Sequence, residues 1–167
     1  MRGILESGNG LKAENMSSAI VIKQFYPYLA EHIWDVLTAG RYLKLWLMRV
    51  DLKPQPGCEF HFLADLIIGQ RHFIYCRVVD VRRLESIAYT WQAGAKACET
   101  LVKWSISSQK GGSILTLEQA GFKGMSGMNE RAVMTKIWKN VFAQVLPGVF
   151  KDNFKIITSR ELKSHYE

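Results

Sequence analysis

The chain has 167 residues, which is close to the length of one ordinary domain of roughly 150 residues. Hydrophobic residues make up 48% of it and charged residues 22%, and this balance excludes a disordered, collagen-like or disulfide-stapled chain. The formal net charge is +7, but the Lys and Arg residues are scattered, so we expect a solvated basic face and no nucleic-acid site.

Neither the start of the chain nor its cysteines indicate export or metal binding. The first ten residues, MRGILESGNG, lack the apolar stretch of a secretory signal, and every apolar run is far shorter than the ~18 residues that cross a bilayer. We therefore expect a cytoplasmic protein. Cys58, Cys76 and Cys98 show no CxxC or Cys/His ligand spacing, which favours free thiols over disulfides or structural zinc.

The first predicted elements are a tail, a strand and two short helices. Residues 1–18 carry Gly, Ser and Asn without periodicity, which predicts an N-terminal tail. The run AIVIKQF, beginning at Ala19, is rich in strand-forming residues. After Pro27, apolar residues recur at helical spacing until Gly40, where we expect the helix to end. A second apolar helix or turn follows at residues 42–47.

Between Cys58 and Phe122 polar and apolar residues alternate with a period of two, which predicts half-buried strands. Turn signals divide this region; they fall near Gly69, at Arg82–Arg83, at Ala93–Gly94 and at Gly111–Gly112. Five closely spaced strands result, and such spacing is typical of an antiparallel meander.

A long amphipathic helix is predicted after Gly127. Its apolar stripe consists of Met134, Ile137, Trp138, Val141 and Val145. Pro147–Gly148 should end this helix. The last helix alone is long enough to cover a sheet of six or seven strands. We therefore predict an α+β domain over residues 19–148, with a curved antiparallel sheet around the C-terminal helix, and a C-terminal extension over 149–167.

Several short stretches carry a family pattern in a fixed order. The segment FYPYLAEHIWDVLTAGRYLKLWL places Trp34, Leu37, Thr38 and Trp46 at the family's positions. Further matches are Pro56–Gly57 with Phe60, then Val79, Leu84, Thr90 and Trp91, then Gly112, Leu115, Leu117, Gly121 and Phe122. Residues 20–146 thus resemble the START-like (SRPBCC) helix-grip superfamily, in the branch named after the activator of the heat-shock-protein-ninety ATPase. Ser113, Gln119 and the lack of a Gly before Val79 depart from that pattern.

The resemblance implies a cavity for a small hydrophobic molecule between the sheet and the C-terminal helix. Following strand parity from the matched residues, we predict a set of inward-facing or helix-borne ligand-binding side chains. The set is Phe60, Phe62, Phe73, Tyr75, Arg77, Trp104, Leu117, Gln119, Met134 and Trp138. The same parity predicts that five further side chains point inward: Val79, Val81, Val102, Ile106 and Leu115. Two alternatives to this prediction remain open. In the first, large aromatic side chains fill the cavity themselves. In the second, Arg77 points away from the cavity, because a β-bulge near Cys76 reverses the parity or because the side chain snorkels to the cavity mouth.

Nothing in the sequence identifies a reaction. No GxSxG elbow is present, and His32, His61, His72 and His165 lack metal-ligand spacing, so we predict neither catalytic residues nor a cofactor. The first hypothesis is a ligand-binding module. The alternatives are a cyclase- or hydrolase-like enzyme that uses Tyr75 or the partner of Arg77, and a co-chaperone-like stimulator of a heat-shock ATPase.

Two further segments suggest movement or association. Met125 and Met128 lie among Gly and Ser residues, which favours a mobile loop at the cavity entrance. The run LPGVF at residues 146–150, if exposed, would offer a homodimer surface.

Overall fold

The structure, a computed structural model, describes residues 18–47, 50–67 and 70–157. Strand β1 (Ile20–Tyr26) leads into helices α1 (Ala30–Thr38) and α2 (Gly40–Trp46). Five strands follow: β2 (Glu59–Ile67), β3 (Gln70–Arg82), β4 (Ser86–Ala93), β5 (Thr100–Gln109) and β6 (Gly112–Ala120). Gly40, predicted to end the first helix, begins the second one. The tail predicted over 1–18, apart from Ser18, and the turn near Gly69 lie outside the described residues.

The six strands form one antiparallel sheet in the order β1-β6-β5-β4-β3-β2. Strands β2 to β6 make the predicted meander, because each pairs with the next along the chain. The first strand pairs with the last, with Ile20 opposite Gln119 and Tyr26 opposite Ser113. The curved sheet, the two short helices after β1 and the long C-terminal helix confirm the predicted α+β helix-grip architecture.

The C-terminal helix does not end at Pro147–Gly148, so that prediction is wrong. Helix α3 (Gly124–Asn140) passes through a π-helical turn (Val141–Val145) into helix α4 (Leu146–Asn153). In a π-helical turn each backbone N–H donates to the carbonyl five residues earlier, which for residue 147 is the carbonyl of Phe142. Pro147 has no N–H and cannot make this bond. The hydroxyl of Tyr26 donates to that oxygen instead, at 2.7 Å. An orphaned carbonyl is thereby satisfied, and the helix continues through the proline.

Residues 149–157 pack onto the beginning of the domain. Phe150 is fully buried, and its ring lies 5.0 Å from that of Tyr26 and 5.1 Å from that of Tyr28. The ring of Phe154 stacks on His32 at 4.4 Å. Leu146 and Val149 are buried as well. The LPGVF run is therefore part of the core and is not the exposed dimer surface that the sequence suggested.

Strand β3 is turned over relative to the prediction. Phe73 and Tyr75 are about half exposed, and Arg77 and Val79 also point outward. The buried residues of this strand are Ile74, Cys76 and Val78. The cause is a bulge: Val78 lies opposite Tyr89 but Asp80 lies opposite Ala88, so Val79 is one residue too many. The alternative that a bulge reverses the parity is thus confirmed, three residues beyond Cys76.

Candidate functional site

Seven of the ten predicted site residues meet between the sheet and the C-terminal helix. They are Phe60, Phe62, Trp104, Leu117, Gln119, Met134 and Trp138, and all are buried. Alternation along β2, β5 and β6 brings the strand residues to the inner face, and the spacing of four residues brings Met134 and Trp138 to one side of α3. Phe73, Tyr75 and Arg77 lie on the opposite face of the sheet, so their predicted inward orientation is wrong.

Aromatic rings pack against one another beneath the second half of α3. The ring of Trp138 lies 5.5 Å from that of Trp91 and 5.5 Å from that of Trp104, edge to face in both pairs. Phe142 stacks on Trp104 at 5.8 Å, and Phe62 meets Trp91 at 5.4 Å. We call these five side chains the aromatic layer. In this part of the interior the aromatic side chains contact one another and line the space between the sheet and the helix.

A chain of hydrogen bonds crosses the aromatic layer. The indole N–H of Trp138 donates to Oε1 of Gln119 at 2.7 Å, and Nε2 of Gln119 donates to Oγ1 of Thr100 at 2.9 Å. The Thr100 hydroxyl donates to the carbonyl of Trp91 at 3.0 Å. Gln119 is fully buried, so these partners offset the desolvation of its amide. The chain ties the helix to three strands of the sheet.

A second buried pair joins Tyr89 and Trp104. The Trp104 indole N–H donates to the Tyr89 hydroxyl at 2.8 Å. Burial raises the pKa of Tyr89, the neighbouring Cys76 raises it further, and the Trp104 hydrogen bond opposes both. Burial also raises the pKa of the Cys76 thiol. Both groups are therefore uncharged at neutral pH, and Cys76 is not a reactive thiolate.

Among the described residues, one buried polar atom on β4 and one on α3 have no hydrogen-bond partner. They are Nε1 of Trp91, whose side chain is 2% exposed, and Oε1 of Glu130. Glu130 lies one turn before Met134, and burial raises the pKa of its carboxyl. Sequence reasoning missed both residues. The sequence did carry a signal for Glu130: it lies four residues before Met134 and eight before Trp138, a spacing that places all three on one face of a helix.

A cavity of about 680 Å³ lies beside α2, a different place from the predicted one. Its walls include the cations Arg41 and Lys44 and the apolar side chains Leu45, Trp46, Leu47 and Val50. Arg41 pairs with Asp35 at 3.6 Å. The Trp46 ring meets Trp104 edge-on at 5.7 Å, so one side chain both lines the cavity and contacts the aromatic layer.

The loop predicted around Met125 and Met128 is helical. Both residues lie in the first turns of α3, with their side chains 81% and 69% exposed. Within residues 18–47, 50–67 and 70–157, no group of three or more His, Cys, Asp or Glu side chains is placed to hold a metal ion. In the same ranges no helix has the length and apolar character needed to span a membrane.

Comparisons with known proteins agree with this geometry. The model of the family described as Activator of Hsp90 ATPase homolog 1-like protein matches residues 27–150. Protein MLL2253 from Mesorhizobium loti is 23% identical with a TM-score of 0.72, and the match covers 82% of this chain and 99% of that one. Protein BH1534 from Bacillus halodurans is 21% identical with a TM-score of 0.64, covering 78% and 95%.

A third similar structure is that of a protein in a biosynthetic locus. DynU16, a protein in the dynemicin biosynthetic locus, is 16% identical with a TM-score of 0.65. The match covers 83% of this chain and 49% of DynU16. At such identities these structures share the fold with this chain and carry no argument about its ligand. A search of curated protein sequences gives no significant match.

Proposed function

The chain belongs to the family of Activator of Hsp90 ATPase homolog 1-like proteins, within the START-like superfamily, and from this membership we propose that it binds a small hydrophobic or amphipathic molecule between the sheet and α3. The observation that carries the proposal is the indole N–H of Trp91, which is buried in an aromatic interior without an acceptor. An unpaired buried donor destabilises a protein by about 1–3 kcal/mol. A ligand with an acceptor oxygen would remove that penalty.

Two rings beside Trp91 and one carboxyl further along α3 define what such a ligand would look like. Phe62 and Trp138 flank the Trp91 ring edge to face, an arrangement that suits an apolar or aromatic molecule. Glu130 brings a carboxyl with a raised pKa to the same side of α3 as Met134. In its protonated form this carboxyl donates a hydrogen bond as well as accepting one. The expected ligand is therefore mostly apolar and carries at least one polar oxygen.

The cavity beside α2 serves as the entrance in this proposal. Trp46 connects it to the aromatic layer through Trp104. The indole N–H of Trp46 donates to the carbonyl of Val36 at 2.8 Å, which holds the ring in place. Arg41 and Lys44 at the rim would favour ligands with an anionic end.

Binding without a chemical step is the form of the proposal that the geometry favours. Tyr75 and Arg77, the groups on which the enzymatic alternative depends, lie on the outer face of the sheet. An acid or base placed there cannot reach a molecule held against α3.

Native mass spectrometry tests the proposal directly. Protein purified from its own host should carry a stoichiometric adduct of small mass, and this adduct should be lost under denaturing conditions. The released molecule would then be identified by its mass. A clean mass without adduct, together with no thermal shift across a library of lipids and aromatic molecules, would contradict the proposal.

Replacing Trp91 by Phe removes the unpaired donor and keeps an aromatic ring. We expect the affinity for the fluorescent probe anilinonaphthalene sulfonate to fall about tenfold, the worth of one hydrogen bond. Trp104→Phe is the matched control, because the Trp104 N–H already has an internal acceptor in Tyr89. Fluorescence titration should show little loss of affinity in the control. Equal losses in both variants would mean that packing, and not the free N–H, decides binding.

A further inference from the structure

The outer face of β2 and β3 carries an exposed cluster of rings. Phe73 and Tyr75 are 50% and 47% exposed, with their rings 6.2 Å apart and inclined by only 30°. The ring of exposed His61 lies 6.3 Å from each of them. Leu63 lies directly opposite Phe73. We call His61, Leu63, Phe73 and Tyr75 the outer patch.

This placement runs against what the sequence pattern favours. Aromatic residues at alternate positions of a strand normally face the core, and the bulge at Val79 turns these two to solvent. Clustered exposed apolar side chains on a soluble protein mark interaction surfaces. Tyr and other aromatic residues dominate the energetic centres of such surfaces. Strand β2 also forms an edge of the sheet, so the outer patch lies beside an unpaired strand edge.

One end of the outer patch carries a pair of opposite charges. Glu59 on β2 lies directly opposite Arg77 on β3, at the end of the patch next to Tyr75. Both residues are exposed. A nucleic-acid site would be expected to carry cations without an interspersed carboxylate. Here Glu59 and Arg77 lie side by side on neighbouring strands. This end of the outer patch is therefore complementary in charge to the same end of a second copy.

The register shows how two copies would fit. The directly opposite pairs are Glu59 with Arg77, His61 with Tyr75, and Leu63 with Phe73. A two-fold axis parallel to the strands, running between β2 and β3 above the patch, exchanges the two strands. It brings Glu59 over the partner's Arg77 and His61 over the partner's Tyr75, and each contact occurs twice. Sheets stacked about 10 Å apart leave room for these side chains to interdigitate.

We propose that a second copy of this chain docks on the outer patch and forms a two-fold symmetric dimer with the sheets face to face. The aromatic centre supplies the buried apolar contact, and the two Glu59–Arg77 pairs at the rim fix the orientation. The ligand proposed above lies on the other face of the sheet. Dimerisation and ligand binding are therefore separable, and each can fail without the other.

Sedimentation velocity over a concentration series, with the full chain, tests the patch. The unaltered protein should sediment as a dimer. Phe73→Ser combined with Tyr75→Ser should raise the dimer dissociation constant by roughly a hundredfold or more. The matched control, Val21→Ser with Leu101→Ser, removes side chains that are 59% and 43% exposed elsewhere on the protein and should leave the dimer intact. Circular dichroism and cooperative thermal unfolding would show that every variant is folded.

Charge exchange tests the geometry. Glu59→Arg alone and Arg77→Glu alone should each weaken the dimer, because like charges then meet across the axis. The double variant Glu59→Arg/Arg77→Glu should recover most of the affinity, since it restores both pairs in reversed order. A monomer at all concentrations, a dimer indifferent to the patch variants, or a double variant no better than the single ones would overturn the proposal.

Discussion

Glu130 is the residue whose charge fits least well with its place in the fold. Its Oε1 atom is buried without a hydrogen-bond partner, on the helix that covers the aromatic layer. Burial penalises the carboxylate and raises the pKa of the group above its ordinary value of 4.5. Below that pH both the folded and the unfolded chain are protonated. As the pH rises above it the unfolded chain releases its proton first, so the folded state loses stability.

Glu130→Gln should therefore stabilise the protein at neutral pH and leave its stability unchanged in mild acid. The amide has nearly the shape of the carboxylic acid and no charge to desolvate. Melting temperatures measured for both proteins at pH 4 and pH 7 check this, and the variant should melt higher only at pH 7. A variant that melts lower at pH 7 would mean that the carboxylate is stabilised in the folded protein.

The orientation of single side chains was the least predictable feature of the site. Parity gave the right face for Phe60, Phe62 and Trp104, because β2 and β5 are regular where these residues lie. It failed for Tyr75 and Arg77, because one extra residue at Val79 reverses the alternation. A bulge arises from the pairing of two strands, so the sequence of one strand does not reveal it.

At the level of elements, the π-helical turn explains how a proline lies within the last helix. The hydroxyl of Tyr26 satisfies the Phe142 carbonyl that Pro147 cannot reach. A strand near the start of the chain thus supplies a hydrogen bond to a helix 116 residues further on. Sequence reasoning ended the helix at Pro147–Gly148 because this donor lies outside any local window.

Tyr26→Phe should destabilise the protein by about 1–3 kcal/mol, since the Phe142 carbonyl would lose its donor while the ring packing remains. Urea unfolding measures this free energy. Tyr42→Phe is the control, because Tyr42 makes ring contacts to Phe154 and Arg41; it should change stability by less than about 0.5 kcal/mol. Equal losses in both variants would show that the hydroxyl bond to Phe142 is not special.

Pro147→Ala supplies the missing amide and should rescue part of that loss. In the double variant with Tyr26→Phe, the new N–H can donate to the Phe142 carbonyl. We expect a double-mutant cycle to show a coupling of roughly 0.5–1.5 kcal/mol between two positions that are distant in sequence. Strictly additive effects would contradict this account of the π-helical turn.

For the whole molecule, the sequence predicted the order of elements and the grip of helix on sheet. The period of two and the long apolar stripe were strong signals, since both repeat over many residues. The packing of residues 149–157 was not predictable in the same way. Phe150 and Phe154 contact the rings of Tyr26, Tyr28 and His32, which lie more than a hundred residues earlier in the sequence.

Phe150→Ala should destabilise the whole domain by about 3–5 kcal/mol, because a fully buried ring would leave a cavity. The neighbouring Lys151 is exposed, and Lys151→Ala should change stability by less than about 0.5 kcal/mol. Thermal and urea unfolding of both variants provide the comparison. A small loss for Phe150→Ala would place the segment after residue 148 outside the cooperative unit.

The pairing of the first strand with the last also governs how the chain folds. Ile20 lies opposite Gln119, so the sheet is completed only when segments about a hundred residues apart meet. Bringing such distant segments together costs conformational entropy before any contact between β1 and β6 forms, so this pairing is slower than the local hairpins of β2 to β6. Until β1 docks, β6 presents an open edge that β1 of another chain can occupy. Strand exchange between chains thus competes with closure during refolding at high protein concentration.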